Sequence, residues 1–273
     1  MDDREYEYLK RQIASLLDID IDAYKSRQMR RRLTAFVQSR SGDSPAPFLR
    51  RLSEDAEALS DLREMLTINV SEFFRDAAQF ETLERTVLPE LLKKRPWLRI
   101  WSAGCSRGHE PYSVAILLEE LGVAALSVIV ASDLDRGALR IAKARGPYPE
   151  SELRNVSRLR RSRHFSAVDG GHAVDRDLAR RVQFKELNLL RDRFDRGFDL
   201  VICRNVMIYF SAEVKVALVR RFCDSLSPGG VLFIGATEAL LGDEVDGFER
   251  MGGNFYRKVD AAAERPRASS RAA

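Results

Sequence analysis

Between Leu98 and Ser113 the chain reads LRIWSAGCSRGHEPYS, a short β-rich run that passes through Gly104 and Gly108 into an amphipathic stretch. The first residues predict a strand, and Pro111 to Leu121 predicts a helix. A strand, a glycine loop and a helix in direct succession let backbone amides approach a ligand closely. The glycine spacing is GxxxG, not the GxGxxG of a pyrophosphate-binding dinucleotide site. A compact adenosyl ligand therefore suits the loop better, with a turn that merely requires glycine as the plainer alternative.

Outward from this stretch the texture repeats. SVIVASD, RVQFKELNL, FDLVICRN and VLFIGAT are further candidate strands, separated by candidate helices at Arg136 to Ala144 and Ala212 to Leu226. Gly146 and Pro228-Gly229-Gly230 supply stop signals. Such alternation predicts an α/β fold with a mainly parallel sheet covered on both faces. FERMGGNFYRKVD reads instead as a terminal antiparallel hairpin. From Ser151 to Arg181 the alternation is interrupted, and Asp169-Gly170-Gly171 marks an inserted hairpin, with a long surface loop equally compatible.

Before Phe73 the pattern is helical. Leu9, Ile13, Leu16 and Leu17 share one face, as do Met29, Leu33, Phe36 and Val37, and SGDSPAP (Ser41 to Pro47) breaks the helices. The division expected is a small all-α domain over 1–70, a sheet domain over 71–260 with the insert near 151–181, and a disordered Ala/Arg/Ser-rich tail over 261–273.

Composition excludes several classes. Apolar residues make up 45% and charged residues 32%, as in ordinary globular proteins, and no apolar run approaches the length of a membrane span, so no membrane insertion is expected. The acidic start MDDREYEYLK has no leader character, which makes the cytoplasm the expected location. Cys105, Cys203 and Cys223 are odd in number, and His109, His164 and His172 lack metal-site spacing, so neither a disulfide framework nor a metal is expected. With 45 basic against 41 acidic residues the chain is no polycation. Its basic runs, Lys25 to Arg32 and Arg158 to Arg163, can face an acidic partner or nucleic acid, or can simply be solvated helix faces. No coiled-coil pattern is present, so a monomer is expected.

Two strand ends carry candidate ligand-binding groups. Asp133 closes the second strand, where a carboxylate can accept bonds from both hydroxyls of a ribose or else cap the next helix; Asp135 is better placed to cap. Arg204, Asn205 and Tyr209 follow the strand that ends at Cys203, at the edge where open α/β sheets bind ligands. Tyr209 equally suits an amphipathic core position.

INVSEFFRD (Ile68 to Asp76), WSAGCSRGHEPYS (Trp101 to Ser113), ASDLD (Ala131 to Asp135), NLL (Asn188 to Leu190) and CRNVMIYF (Cys203 to Phe210) together resemble the chemotaxis-receptor glutamate methyltransferase family. The resemblance is ordered and runs from about Tyr6 to Val259. It implies a Rossmann-like domain using S-adenosyl-L-methionine, and methyl esterification of glutamates on the cytoplasmic helices of chemoreceptors. It further implies that Asn69, Ser71 and Arg75 reach the cofactor from the junction of the two domains, and that Glu110 matches the acidic residue of the loop. Asp133 would take the ribose, Asn188 and Leu189 the adenine side, and Arg204 with Asn205 the remaining wall. Arg75 and Tyr209 would lie near the transferred methyl. Some members also hold a receptor C-terminal peptide at the insert.

The chain departs from the family pattern at Arg107 and His109. A histidine in the loop predicts a cofactor affinity that varies between about pH 5.5 and 7.5, around the reference histidine pKa. Competing readings are a methyltransferase for another acceptor such as RNA, and a module that binds the cofactor without transferring a methyl.

Overall fold

The computed structural model describes residues 1–41, 45–67 and 71–259. Four helices come first: α1 (Asp3–Leu17), α2 (Ser26–Ser41), α3 (Pro45–Glu54) and α4 (Ala56–Thr67). Asp2 caps α1 in a reciprocal box with Glu5, satisfying amides that a helix start leaves unpaired. The SGDSPAP break is shorter than the sequence suggests. Pro45 and Pro47 lie in the first turn of α3, where a missing N–H costs no helical bond. Leu9, Ile13, Leu33, Phe48, Leu62 and Leu66 form the buried centre of this helical region.

The rest of the chain runs α5 (Ala77–Thr82), α6 (Leu88–Leu92), β1 (Arg99–Ala103), α7 (His109–Glu120), β2 (Val128–Asp133) and α8 (Arg136–Ala144). Next come α9 (Arg158–His164), β3 (Phe165–Val168), β4 (Gly171–Val174), α10 (Arg176–Ala179), β5 (Val182–Glu186) and β6 (Phe198–Cys203). The last elements are α11 (Ala212–Ser225), β7 (Leu226–Ile234), β8 (Phe248–Gly252) and β9 (Phe255–Lys258). Seven strands form one sheet in the order β5-β2-β1-β6-β7-β9-β8. The pairs from β5 through β7 are parallel, and β9 and β8 add antiparallel at the edge. β3 and β4 pair as a separate hairpin within the segment expected to be an insert.

Strand alternation sends Ile100 into the apolar layer on one face and Trp101 with Ala103 into the layer on the other, as a sheet covered on both sides requires. Trp101 satisfies its indole N–H by donating to Ser132 Oγ at 2.9 Å. α7 begins two residues earlier than the sequence suggests, at His109, because Gly108 turns the chain with φ +91° and Pro111 fits within the first turn. Pro228-Gly229-Gly230 does not stop α11, which ends at Ser225. It falls inside β7, whose register against β6 shifts between Phe198 and Leu200.

Chain order reverses across β1, with β2 on one side and β6 on the other, so a crevice opens beyond their carboxyl ends. The helical region covers that crevice. Lys25 N donates to Tyr209 O at 2.9 Å, Ser211 N to Ala23 O at 2.9 Å, and Asn188 Nδ2 to Asp18 O at 3.0 Å. Among the described residues no helix is long and apolar enough to cross a membrane.

Candidate active site

The loop after β1 forms the floor. At Gly104 φ is +85°, and a Cβ there would stand 2.5 Å from Val206 Cγ2, so glycine lets the segment beyond β6 close over the loop. Asp133 pins the loop from β2, accepting Ser106 N at 2.7 Å and Asp135 N at 2.9 Å. Burial pushes the Asp133 carboxyl up, and these amides oppose that shift. A carboxylate has further lone pairs, so Asp133 still has acceptor capacity for hydroxyls. Asp135 caps α8 by accepting from Gly137 N and Ala138 N, and Thr67 Oγ1 from α4 donates to its other oxygen.

Glu110 sits in the first turn of α7. Ser102 Oγ donates to it at 2.7 Å and Arg204 Nη1 at 3.3 Å. Burial raises its carboxyl, and the Arg204 charge works against this. Arg204 also donates through Nη2 to Arg75 O and to Asp76 Oδ2, each at 2.7 Å, while its guanidinium lies over the Phe80 and Phe233 rings. Arg75 stands between two non-glycine residues with positive φ, Phe74 at +52° and Asp76 at +59°. Ser106 at +47° and Asn205 at +60° border the same cleft, so strained backbone is concentrated around it.

All the expected site residues except Asn69 line this one cleft: Ser71 and Arg75 from the junction, Gly104 and Glu110 from the loop and α7, Asp133 from β2, Asn188 and Leu189 after β5, and Arg204, Asn205 and Tyr209 after β6. Asn69 lies outside the described residues. The Asn188 side chain is engaged by protein, donating to Asp18 O and accepting from Leu190 N at 3.0 Å. Burial pushes the Tyr209 hydroxyl up, with Arg32 and Arg75 pulling against it, which places both guanidinium groups in its field.

The sequence reading missed contributions from the helical region. Ile19, Asp20, Tyr24 and Leu66 join the lining, and Tyr24 packs edge-on against Phe210 with ring centroids 5.2 Å apart. Burial, with Asp133 adding to it, pushes the Tyr24 hydroxyl up to about 12. Nothing in the local sequence shows that these residues face a ligand.

His109 corrects an expectation. Its ring is fully buried away from the cleft, between Phe73 and Tyr148, with Nε2 2.7 Å from Glu152 Oε2. Arg107 pairs with the same carboxylate, so both departures from the family pattern are directed at Glu152 before the hairpin. Each basic run is partly engaged by the protein itself. Arg160 binds Glu84 and Glu120, and Arg161 binds Glu150, while Arg158 and Arg163 are exposed. On α2, Arg31 is exposed, but Arg32 turns inward and donates to Met65 O.

This arrangement, a glycine loop, a strand-end carboxylate and a covered crevice at the reversal point of a sheet with an antiparallel edge, matches what the comparisons return. The family model described as "CheR methyltransferase, SAM binding domain" matches residues 69–256. The chain belongs to the CheR methyltransferase family. A chemotaxis protein methyltransferase of Listeria innocua is 36% identical over 258 residues, covering 94% of this chain and 98% of that protein. Chemotaxis protein methyltransferase 1 of Pseudomonas aeruginosa is 46% identical over 194 residues, covering 66% of this chain and 70% of the relative. The corresponding Cher2 protein of Pseudomonas putida is 38% identical over 226 residues, 77% of this chain and 81% of its own.

As a CheR methyltransferase the chain is an enzyme and its cofactor is S-adenosylmethionine. The cleft residues fit that group. A Cβ-free position at Gly104, a half-buried carboxylate at Asp133 and apolar walls from Ile19, Leu134, Leu187 and Leu189 suit an adenosyl moiety.

Proposed function

We propose that this chain esterifies glutamate side chains on an acidic helical segment of chemoreceptors in the cytoplasm. The observation that carries the reading is the convergence of Arg75 and Tyr209, from segments far apart in sequence, on the cleft whose carboxylates suit the cofactor. Asp133 would hold the ribose hydroxyls, Leu187 and Leu189 the adenine side, and Glu110 the cationic end of the methionine portion. When bound, S-adenosylmethionine supplies a methyl group activated on a sulfonium.

No general base is required for this acceptor. A glutamate carboxylate has a reference pKa of about 4.3 and is already ionised at neutral pH. With the cofactor bound, a carboxylate oxygen would form the new bond to the methyl carbon as its bond to sulfur breaks, the neutral thioether leaving, and the two opposite charges would neutralise each other. The tasks left to the chain are alignment and exclusion of water, because charge that disappears on the way to the transition state is better accommodated in a dry site. Arg75 orients the incoming carboxylate, and Tyr209 donates to it or narrows the methyl channel. Lys25, Arg27 and Arg31, exposed along α2 and just before it, steer the acidic substrate.

The test is transfer of labelled methyl from S-adenosylmethionine to a chemoreceptor cytoplasmic fragment, followed by mild alkali. Label released as volatile methanol from the receptor fragment identifies a carboxyl methyl ester, as the proposal requires. Base-stable label would move the acceptor to nitrogen or nucleic acid, and cofactor binding without transfer to any acceptor would leave a binding module.

A further inference from the structure

Arg75 and Tyr209 stand on separate segments, and one polar network joins those segments from behind the cleft. Glu238 is only 5% exposed and lies in the turn after β7. Its Oε2 accepts Gly235 N at 2.7 Å and Asn205 N at 2.9 Å, and its Oε1 accepts Ile208 N at 3.1 Å. The carboxylate thus holds both the strained Asn205 and the short turn Met207–Tyr209 that presents the tyrosine. The approach is close. A Cβ on Gly235 would lie 2.6 Å from Glu238 Oε2 and 2.9 Å from Asn205 N.

The network continues through the terminal hairpin. Asn254, between β8 and β9, donates from Nδ2 to Gly235 O at 2.8 Å and Glu238 O at 2.7 Å, and accepts Gln79 Nε2 at 2.6 Å. Gln79 on α5 accepts Arg204 Nη2 at 3.2 Å, the same nitrogen that donates to Arg75 O. None of Gln79, Glu238 and Asn254 lines the cleft.

We infer that Glu238 and the Gln79–Asn254 pair are positioning residues for methyl transfer, setting Tyr209 relative to Arg75. The inference rests on the function proposed above. It also gives the antiparallel hairpin a catalytic purpose, since its turn supplies the residue that bridges the two arms. A misplacement of well under an ångström between aligned groups is enough to slow a positioned reaction while leaving binding intact.

The experiment compares wild type with Gln79→Ala, Asn254→Ala, their double variant and Glu238→Gln, measuring kcat and KM for a receptor fragment and S-adenosylhomocysteine affinity by calorimetry. Each single variant should lose roughly tenfold in kcat. KM and S-adenosylhomocysteine affinity should stay within about twofold. The Gln79→Ala/Asn254→Ala double variant should be no slower than the slower single, because both break one link. Unchanged kcat in the single variants, multiplied losses in the double, or parallel loss of S-adenosylhomocysteine affinity would overturn the inference. An active wild type with unaffected variants removes only this inference, whereas a wild type inert toward every acceptor removes the proposed function and the inference with it.

Discussion

Arg204 Nη2 donates to the main-chain carbonyl of Arg75 at 2.7 Å, so a buried cation that follows β6 sets the backbone of the segment before α5. The same guanidinium is paired with Asp76 and Glu110, and its side chain is only 2% exposed. Arg204→Ala leaves two carboxylates without their cation. The expected loss is about 3–5 kcal/mol in chemical denaturation, the usual effect of removing one partner of a buried pair. Arg204→Lys keeps the charge but cannot reproduce the fork, and should retain more stability than activity.

Tyr209→Phe removes one hydroxyl from a half-buried ring and leaves the packing in place. Methyl transfer should fall by more than about tenfold, with denaturation midpoints close to wild type because no core volume is lost. A wild-type rate in this variant would remove Tyr209 from the reacting groups.

Gly104→Ala forces a left-handed residue to carry a side chain and pushes against Val206. The conformational cost of about 1–2 kcal/mol predicts cofactor affinity reduced about tenfold or more, measured by calorimetry. Unchanged affinity would show that the loop does not form the cofactor floor.

Burial lowers the His109 pKa despite the nearby Glu152 carboxylate. The folded protein therefore binds a proton at this ring less readily than the unfolded chain, and stability falls as pH drops below the unfolded histidine value of about 6.5. Burial alone would raise the Glu152 carboxyl, but its bonds to His109 and Arg107 outweigh that and hold it below the ordinary range. Its contribution is present above the unfolded carboxyl pKa and is lost at more acidic pH. Denaturation between about pH 7 and 5.5 should therefore show a decline that is smaller in His109→Gln. Cofactor affinity over this interval should be flat in both proteins, and a dependence abolished by His109→Gln would return the ring to the cofactor's reach.

Arg31 is exposed on α2, whereas Arg30 pairs with Asp3 and Arg32 reaches Met65. Arg31→Glu is thus the clean reversal. Receptor methylation at low salt should fall about three- to tenfold, and the gap should close as salt rises, while cofactor affinity stays constant. Equal methylation by both proteins would make the α2 surface a solvated face.

Much of the fold was legible because its signals are local. The run from Arg99 to Ala103, the Gly104 and Gly108 turns and the Gly252-Gly253 hairpin each encode their geometry within a few residues, through strand alternation and positive φ. Asp133, Arg204 and Tyr209 could be picked out for the same reason, since a strand's end dictates which residues emerge beyond it. Direction and partnership were not local. His109 faces Glu152, Arg160 faces Glu120, and Tyr24 enters the cleft from a helical region far away in sequence. A side chain's role depends on what the folded chain packs beside it. Only the tertiary structure could show that Arg204 holds Arg75 from the sheet, and that Glu238 and Asn254 hold the turn bearing Tyr209.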